Sequence, residues 1–91
     1  MYYVYVLKSR KDEGLYIGYT KDLEKRLSEH NKGLNISTKK RRPLGLIYYE
    51  AYLSETDART REERLKKFKN SYKELTKRIV SSMQYQKVVG D

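Results

Sequence analysis

Between Gly14 and His30 the chain reads GLYIGYTKDLEKRLSEH, a run that sets a tyrosine, a glycine, an arginine and the only histidine close together. Arg26 and His30 are four residues apart, so on a helix they share a face. That face begins next to an apolar pair, Leu23 and Leu27, whose spacing marks a buried stripe. Two polar groups at the margin of such a stripe can look into a groove beside whatever the stripe packs on. Further along, Glu62 stands four residues after Ala58 and one turn before Leu65, so a carboxylate can border the same core. One carboxylate at a groove edge suits a hard divalent cation, because Mg²⁺ accepts one or two carboxylates and keeps waters or substrate phosphates as its other ligands. A tyrosine beside such a cation, Tyr5 or Tyr16, would have its phenol made more acidic than its ordinary pKa of about 10.

The elements that must position these groups can be read from the pattern. YYVYVLKS alternates, with Tyr3 and Tyr5 on one face and Tyr2, Val4 and Val6 on the other, and its β-branched and aromatic content predicts a strand. After the polar turn RKDEG, LYIGYT predicts a second strand in a hairpin with the first, presenting Tyr16 and Gly18 on one face and Leu15, Ile17 and Tyr19 on the other. From Thr20 the period becomes helical, with Thr20 as the cap, Asp22 and Glu24 in the first turn and Gly33 as the stop. Leu46 to Tyr52 has the composition of a third strand after the punctuation of Pro43 and Gly45. Ser54 with Asp57 opens a second helix, with Ala58, Leu65 and Phe68 as its inner side. Ser71 with Glu74 opens a last helix that buries Leu75 and Ile79. The order β-β-α-β-α-α predicts an α+β fold, a small three-stranded, mainly antiparallel sheet flanked by helices. Residues 1–81 read as one domain and 82–91 as a flexible tail, with Val88 and Val89 able to add an edge strand.

Composition narrows the function classes. At 91 residues the chain supports one small core. It has no cysteine, which excludes disulfides, thiolate nucleophiles and Cys-rich zinc sites and fits a reducing cytoplasm. No apolar run approaches the ~20 residues of a membrane helix, so no membrane partner is expected. Against 12 acids stand 21 Lys and Arg, a net charge of +9 that attracts polyanions, nucleic acid first among them. Residues 31–49 hold Lys32, Lys39, Lys40, Arg41 and Arg42 without one acid. That reads as a phosphate-facing loop or, more plainly, as a solvated one.

Taken singly, each candidate also has a packing explanation. Tyr5 and Tyr16 are at home on a half-buried pleat. His30 at a helix C-terminus can satisfy the last carbonyls. Arg26 and Glu62 are ordinary helix positions, Glu62 with Arg59 and Lys66 beside it. Gly18 is the least ordinary, since a strand glycine marks a bulge or the close approach of another backbone or a ligand.

The ordered series Tyr3-Val4-Tyr5, Tyr16-Ile17-Gly18, Tyr19 to Leu27 and Glu29 to Gly33 resembles the GIY-YIG nuclease superfamily, and in particular its small stand-alone bacterial members, the UvrC-like endonuclease domain proteins. The resemblance extends through Arg42-Pro43, Leu46-Ile47-Tyr48, Ala58 to Glu62 and Leu65 to Lys67. It implies five catalytic positions: Tyr5 and Tyr16, one of which acts on the attacking water; Arg26, which binds the scissile phosphate; His30, which orients a tyrosine or moves a proton; and Glu62, the single protein ligand of Mg²⁺ or Mn²⁺. Gly18, Lys21, Lys39, Lys40, Arg41 and Arg42 are then the positions expected to meet nucleic acid, most simply DNA. The resemblance thus implies a cytoplasmic, metal-dependent endonuclease, acting on structured or damaged DNA in repair or recombination. The alternatives are a non-catalytic nucleic-acid-binding module of the same fold, or a subunit active only with a protein partner. Tyr-Val-Tyr replaces the name-giving Gly-Ile-Tyr, leaving the functional tyrosine in place.

Overall fold

A computed structural model describes residues 1–84 and the two-residue strand at 87–88. Strands β1 (Tyr2–Ser9) and β2 (Leu15–Thr20) form the hairpin, followed by α1 (Leu23–Asn31), a single 3-10 turn at Lys39–Arg41, β3 (Leu44–Tyr52), α2 (Glu55–Lys67), α3 (Lys69–Arg78), α4 (Val80–Gln84) and β4 (Lys87–Val88). The sheet order is β2-β1-β3-β4 and every pairing is antiparallel. The three long strands are those read from the sequence. Of the expected edge strand, Val88 pairs with Gly45; of the expected tail, 82–84 belong to α4, while 85–86 and 89–91, with Val89 among them, lie outside the described residues.

Strand alternation divides the core between two faces. Val4, Val6, Ile17 and Ile47 pack with Ala58 and Leu65 from α2, Leu75 from α3 and Ile79 at the C-terminal cap of α3. On the other face Tyr5, Leu7 and Leu44 pack with Leu27, joined by Leu23, Tyr16 and Leu46. A shift of register between Val6 and Leu7 marks a bulge in the β1–β3 pairing. It lets Ile47 and Tyr48 both turn toward the first face while Leu46 turns toward the second.

Three local expectations are corrected. The cap of α1 is Asp22, whose carboxylate accepts from the Lys25 N–H at 3.1 Å. Thr20 is still in β2, and its hydroxyl accepts from the Asp22 N–H to turn the chain, leaving the charged Asp22 at the positive end of the helix. The last long helix begins at Lys69 rather than Ser71, because a single extended residue, Phe68, ends α2 and starts α3 with no side-chain cap. For the same reason Phe68 is not on the inner side of α2: at the junction it is 57% exposed. The Ser54 cap of α2 is present, accepting from the Asp57 N–H at 3.2 Å. Gly33 ends the turn after α1 at a φ of 79°, a left-handed conformation that glycine adopts without strain.

Candidate active site

Tyr5 occupies the central strand and has no solvent-exposed surface. Its Oη lies 2.8 Å from His30 Nε2, and His30 Nδ1 lies 2.6 Å from Thr38 Oγ1. His30 and Thr38 are also fully buried, so α1 and the loop after it place a polar chain under the sheet face. The space for this chain comes from Gly18. In the β1–β2 register Gly18 is opposite Tyr5, and a Cβ at 18 would fall 2.3 Å from Tyr5 Cζ and Oη. The close approach expected at this glycine is that of Tyr5 itself.

Tyr16, on the edge strand β2, completes an aromatic triangle. Its ring lies 6.4 Å from that of Tyr5 and 5.1 Å, edge-on, from that of His30. Unlike Tyr5 it keeps part of its surface accessible. Lys66 Nζ stands 6.0 Å from the centre of the Tyr16 ring and pairs with Glu62 at 3.0 Å. Arg26, on α1, pairs with Glu29 at 3.3 Å.

Electrostatics show how closely these groups face one another. Burial, and then the neighbouring Tyr16, push the Tyr5 phenol well above its ordinary pKa of 10.0. Arg26 pulls the other way and Glu62 adds to the rise, so side chains from α1 and α2 converge on one strand tyrosine. In the protein alone, then, the acidified phenol expected from the sequence is reversed at Tyr5. His30 is pushed down to about 4, mainly by burial and next by the charge of Arg26, and is neutral at pH 7. With Arg26 beside the phenol, the tautomer assigned to this network has Tyr5 donate to His30 Nε2. The imidazole then carries its own proton on Nδ1 and donates to Thr38.

The sequence-derived nucleic-acid residues divide. Lys21 shares a groove of about 310 Å³ with Thr20, Lys25 and Arg26. Lys39 and Lys40 are exposed on the 3-10 turn. Arg41 is engaged by Asp12, with Nε to Oδ2 at 2.7 Å, and its carbonyl accepts from the Ser9 hydroxyl at 2.6 Å. This holds Asp12 down at about 2. Arg42 Nε donates to the Lys39 carbonyl at 2.8 Å. Arg41 and Arg42 thus fasten the loop that carries Thr38. Thr38 itself is the site residue that sequence reasoning missed, since nothing local distinguishes it from the other loop polar residues.

Among the described residues no cluster of three or more His, Cys, Asp or Glu side chains forms a metal cage. Glu62 alone, partly buried beside the phenols, fits a hard cation that takes most of its ligands from water and substrate, which is the donor chemistry of Mg²⁺ or Mn²⁺.

The sheet's central and edge strands each present a tyrosine to a buried histidine, with an arginine and one carboxylate facing them. The chain belongs to the GIY-YIG family: residues 1–76 match the model described as the GIY-YIG catalytic domain. Among curated proteins it is similar to a UPF0213 protein of Clostridium perfringens, 43% identical over 74 residues covering 80% of this chain and 78% of the relative. A UPF0213 protein of Staphylococcus saprophyticus is 42% identical over 73 residues, covering 79% and 88% of the two chains. One of Bacillus pumilus is 43% identical over 75 residues, covering 81% and 76%. No solved structure matches the chain significantly.

Proposed function

We propose that this protein is an endonuclease that hydrolyses phosphodiester bonds, DNA being the substrate, with one divalent cation held by Glu62. The observation that carries the reading is the convergence of Arg26, Glu62 and Tyr16 on the buried Tyr5–His30 pair from three different elements. Tyr16, the accessible phenol, contacts the attacking water and orients or accepts its proton. Tyr5 and His30 are positioning residues, because buried side chains that already satisfy each other cannot touch that water. Arg26 binds the scissile phosphate and neutralises the charge that develops on it. The cation on Glu62, when bound, supplies Lewis-acid polarisation of the phosphate and steadies the leaving oxygen. Structured or damaged DNA, in repair or recombination, is the biological setting of this activity.

The test is cleavage of labelled flapped, nicked and single-stranded DNA with Mg²⁺ or Mn²⁺, comparing wild type with Glu62→Gln and Tyr16→Phe. Loss of at least ~100-fold in each variant is expected. No cleavage by wild type, or equal cleavage by both variants, overturns the reading.

One observation favours a second reading, a subunit that works only with a protein partner: Arg26 and Glu62 are each held by a neighbour, Glu29 and Lys66. Wild-type inactivity on every naked substrate, followed by Glu62-dependent activity in a complex purified from the host, selects it.

A further inference from the structure

The sheet face that carries Tyr5 and Tyr16 continues past them. Tyr49 is the direct cross-strand partner of Tyr5, and such partners stand side by side on one face about 5 Å apart. Tyr49 is 51% exposed. Its ring meets that of Tyr3 edge to face, with centroids 5.9 Å apart and planes at 65°. Tyr3, two residues before Tyr5, shares the same face. Helix α1 covers the neighbouring part of this face through Leu27, over Leu7 and Leu44, and leaves Tyr49 open. Among the described residues β4 pairs with β3 only at Gly45 and Leu46, so no strand flanks Tyr49 on its outer side.

The surroundings indicate what would cover an exposed aromatic here. Tyr3 is opposite Thr20 on β2, and Thr20 lines the groove shared by Lys21, Lys25 and Arg26. Tyr3 therefore stands between Tyr49 on β3 and a groove whose three cations outnumber its two carboxylates, Asp22, which caps α1, and Glu29, which pairs with Arg26, in a protein of net charge +9. Cations beside an open aromatic face match a nucleotide, whose phosphate and base are joined at short range, better than they match an apolar peptide. Tyr3 braces the edge of the Tyr49 ring and so fixes its orientation at little further entropic cost. A base inside a duplex has both faces occupied by its neighbours and cannot use this surface.

We propose that Tyr49, braced by Tyr3, is a stacking subsite for one unpaired nucleobase adjoining the phosphate that Arg26 binds. This deepens the nuclease reading and rests on it for the identity of the phosphate site. It makes the substrate one with an unpaired nucleotide next to the cut: a single strand, a flap or a gap.

The experiment is run without divalent metal, so that binding is separated from hydrolysis. An oligonucleotide carrying 2-aminopurine, single-stranded or in a blunt duplex, is titrated with wild type, Tyr49→Phe and Tyr49→Ala, with circular dichroism confirming that each variant is folded. Quenching of the single strand by wild type and Tyr49→Phe, with binding between about 5-fold and 100-fold weaker in Tyr49→Ala, is expected. Equal binding by Tyr49→Ala, or equal quenching of strand and duplex, overturns the subsite. So does a change from dimer to monomer in Tyr49→Ala by sedimentation, because the face would then belong to a second copy of this chain. Failure of the cleavage assay with quenching intact would remove the nuclease reading and leave a base-binding surface.

Discussion

Gly18 and Tyr5 compete for one volume, and the fold settles the competition by giving position 18 no side chain. A methyl group there would lie 2.3 Å from Tyr5 Oη, a separation that forces the ring to move. Gly18→Ala is therefore expected to cost about 1–3 kcal/mol, the usual range for overpacking, and to displace Tyr5 from His30. Urea unfolding checks the cost. The double variant with Tyr5→Ala should lose less than the sum of the two single changes, and strict additivity would show that the residues do not share this space. Below Tyr5, His30 makes stability depend on pH. Its folded pKa of about 4 lies below the ordinary 6.5, so the unfolded chain binds the proton more readily. Its contribution is complete above pH 6.5, falls as pH drops toward 4, and totals about 3 kcal/mol. Thermal melts from pH 7 to 5 should show this slope, and His30→Gln should flatten it. Thr38→Val leaves the buried Nδ1–H of His30 without an acceptor, at about 1–3 kcal/mol. Thr38→Ser should restore both stability and the shape of the pH profile, which a purely steric role for the threonine would not produce.

At the scale of elements, α2 is joined to β3 by Glu50, on the sheet face opposite Tyr5. Arg61 donates to it through Nε at 3.0 Å and through its terminal nitrogen at 3.1 Å. The hydroxyls of Tyr48, at 2.7 Å, and of Tyr52 donate as well. Burial alone would raise the pKa of Glu50; these donors outweigh it and hold the carboxyl below its ordinary value, while Tyr48 and Tyr52 are each pushed up to about 12. Arg61→Met removes the hydrogen-bonded cation from a mostly buried carboxylate that keeps its tyrosines, so a loss of about 2 kcal/mol is expected. Because the folded pKa of Glu50 is depressed, the lost stability is the part present above its ordinary pKa of 4.5, and wild type and variant melting temperatures should converge as pH falls below it. An unchanged melting temperature at pH 7 would show that the pair does not fasten α2. Tyr48, Glu50 and Tyr52 sit at every second position of a strand, so their common face was legible in the sequence; Arg61, on the next element, was not. The same division runs through the site. Tyr5, Tyr16, Arg26 and His30 belong to one hairpin and its following helix, where register and helical spacing are local, and the two strands, α1 and the Ser54 cap of α2 could be read directly. Glu62 reaches them only through the docking of α2: its spacing from Ala58 and Leu65 marked it as a carboxylate at the border of the core, while its membership of one set with the other four came from the family resemblance. The basic loop was read by charge, whereas Arg41 and Arg42 are partly spent in bonds to Asp12 and the Lys39 carbonyl.

For the whole molecule the question is how a net charge of +9 is spread along a bound strand. Lys21, Lys25 and Arg26 surround the start of α1. Lys39 and Lys40 lie beyond its other end, where Asn31 is tied to the Leu44 backbone. The nine residues of α1, about 14 Å of helix, run from the groove that holds Lys21 at its start to the loop that holds Lys39 and Lys40 beyond its end, so the two cationic groups meet different stretches of a bound strand. A strand of about 3 nucleotides should therefore feel the first group alone, and one of about 12 should feel both. Each phosphate neutralised on a single strand contributes roughly −0.7 to the slope of log K against log salt. Lys39→Gln with Lys40→Gln should then leave the slope for the short strand unchanged and make that for the long strand shallower by about 1.4. Lys21→Gln should reduce both slopes by about 0.7. Fluorescence anisotropy across a salt series, without divalent metal, measures all four. Equal slopes for wild type and the double Lys39 and Lys40 variant on the long strand would show that the strand does not run along α1, and would confine binding to the groove beside Arg26.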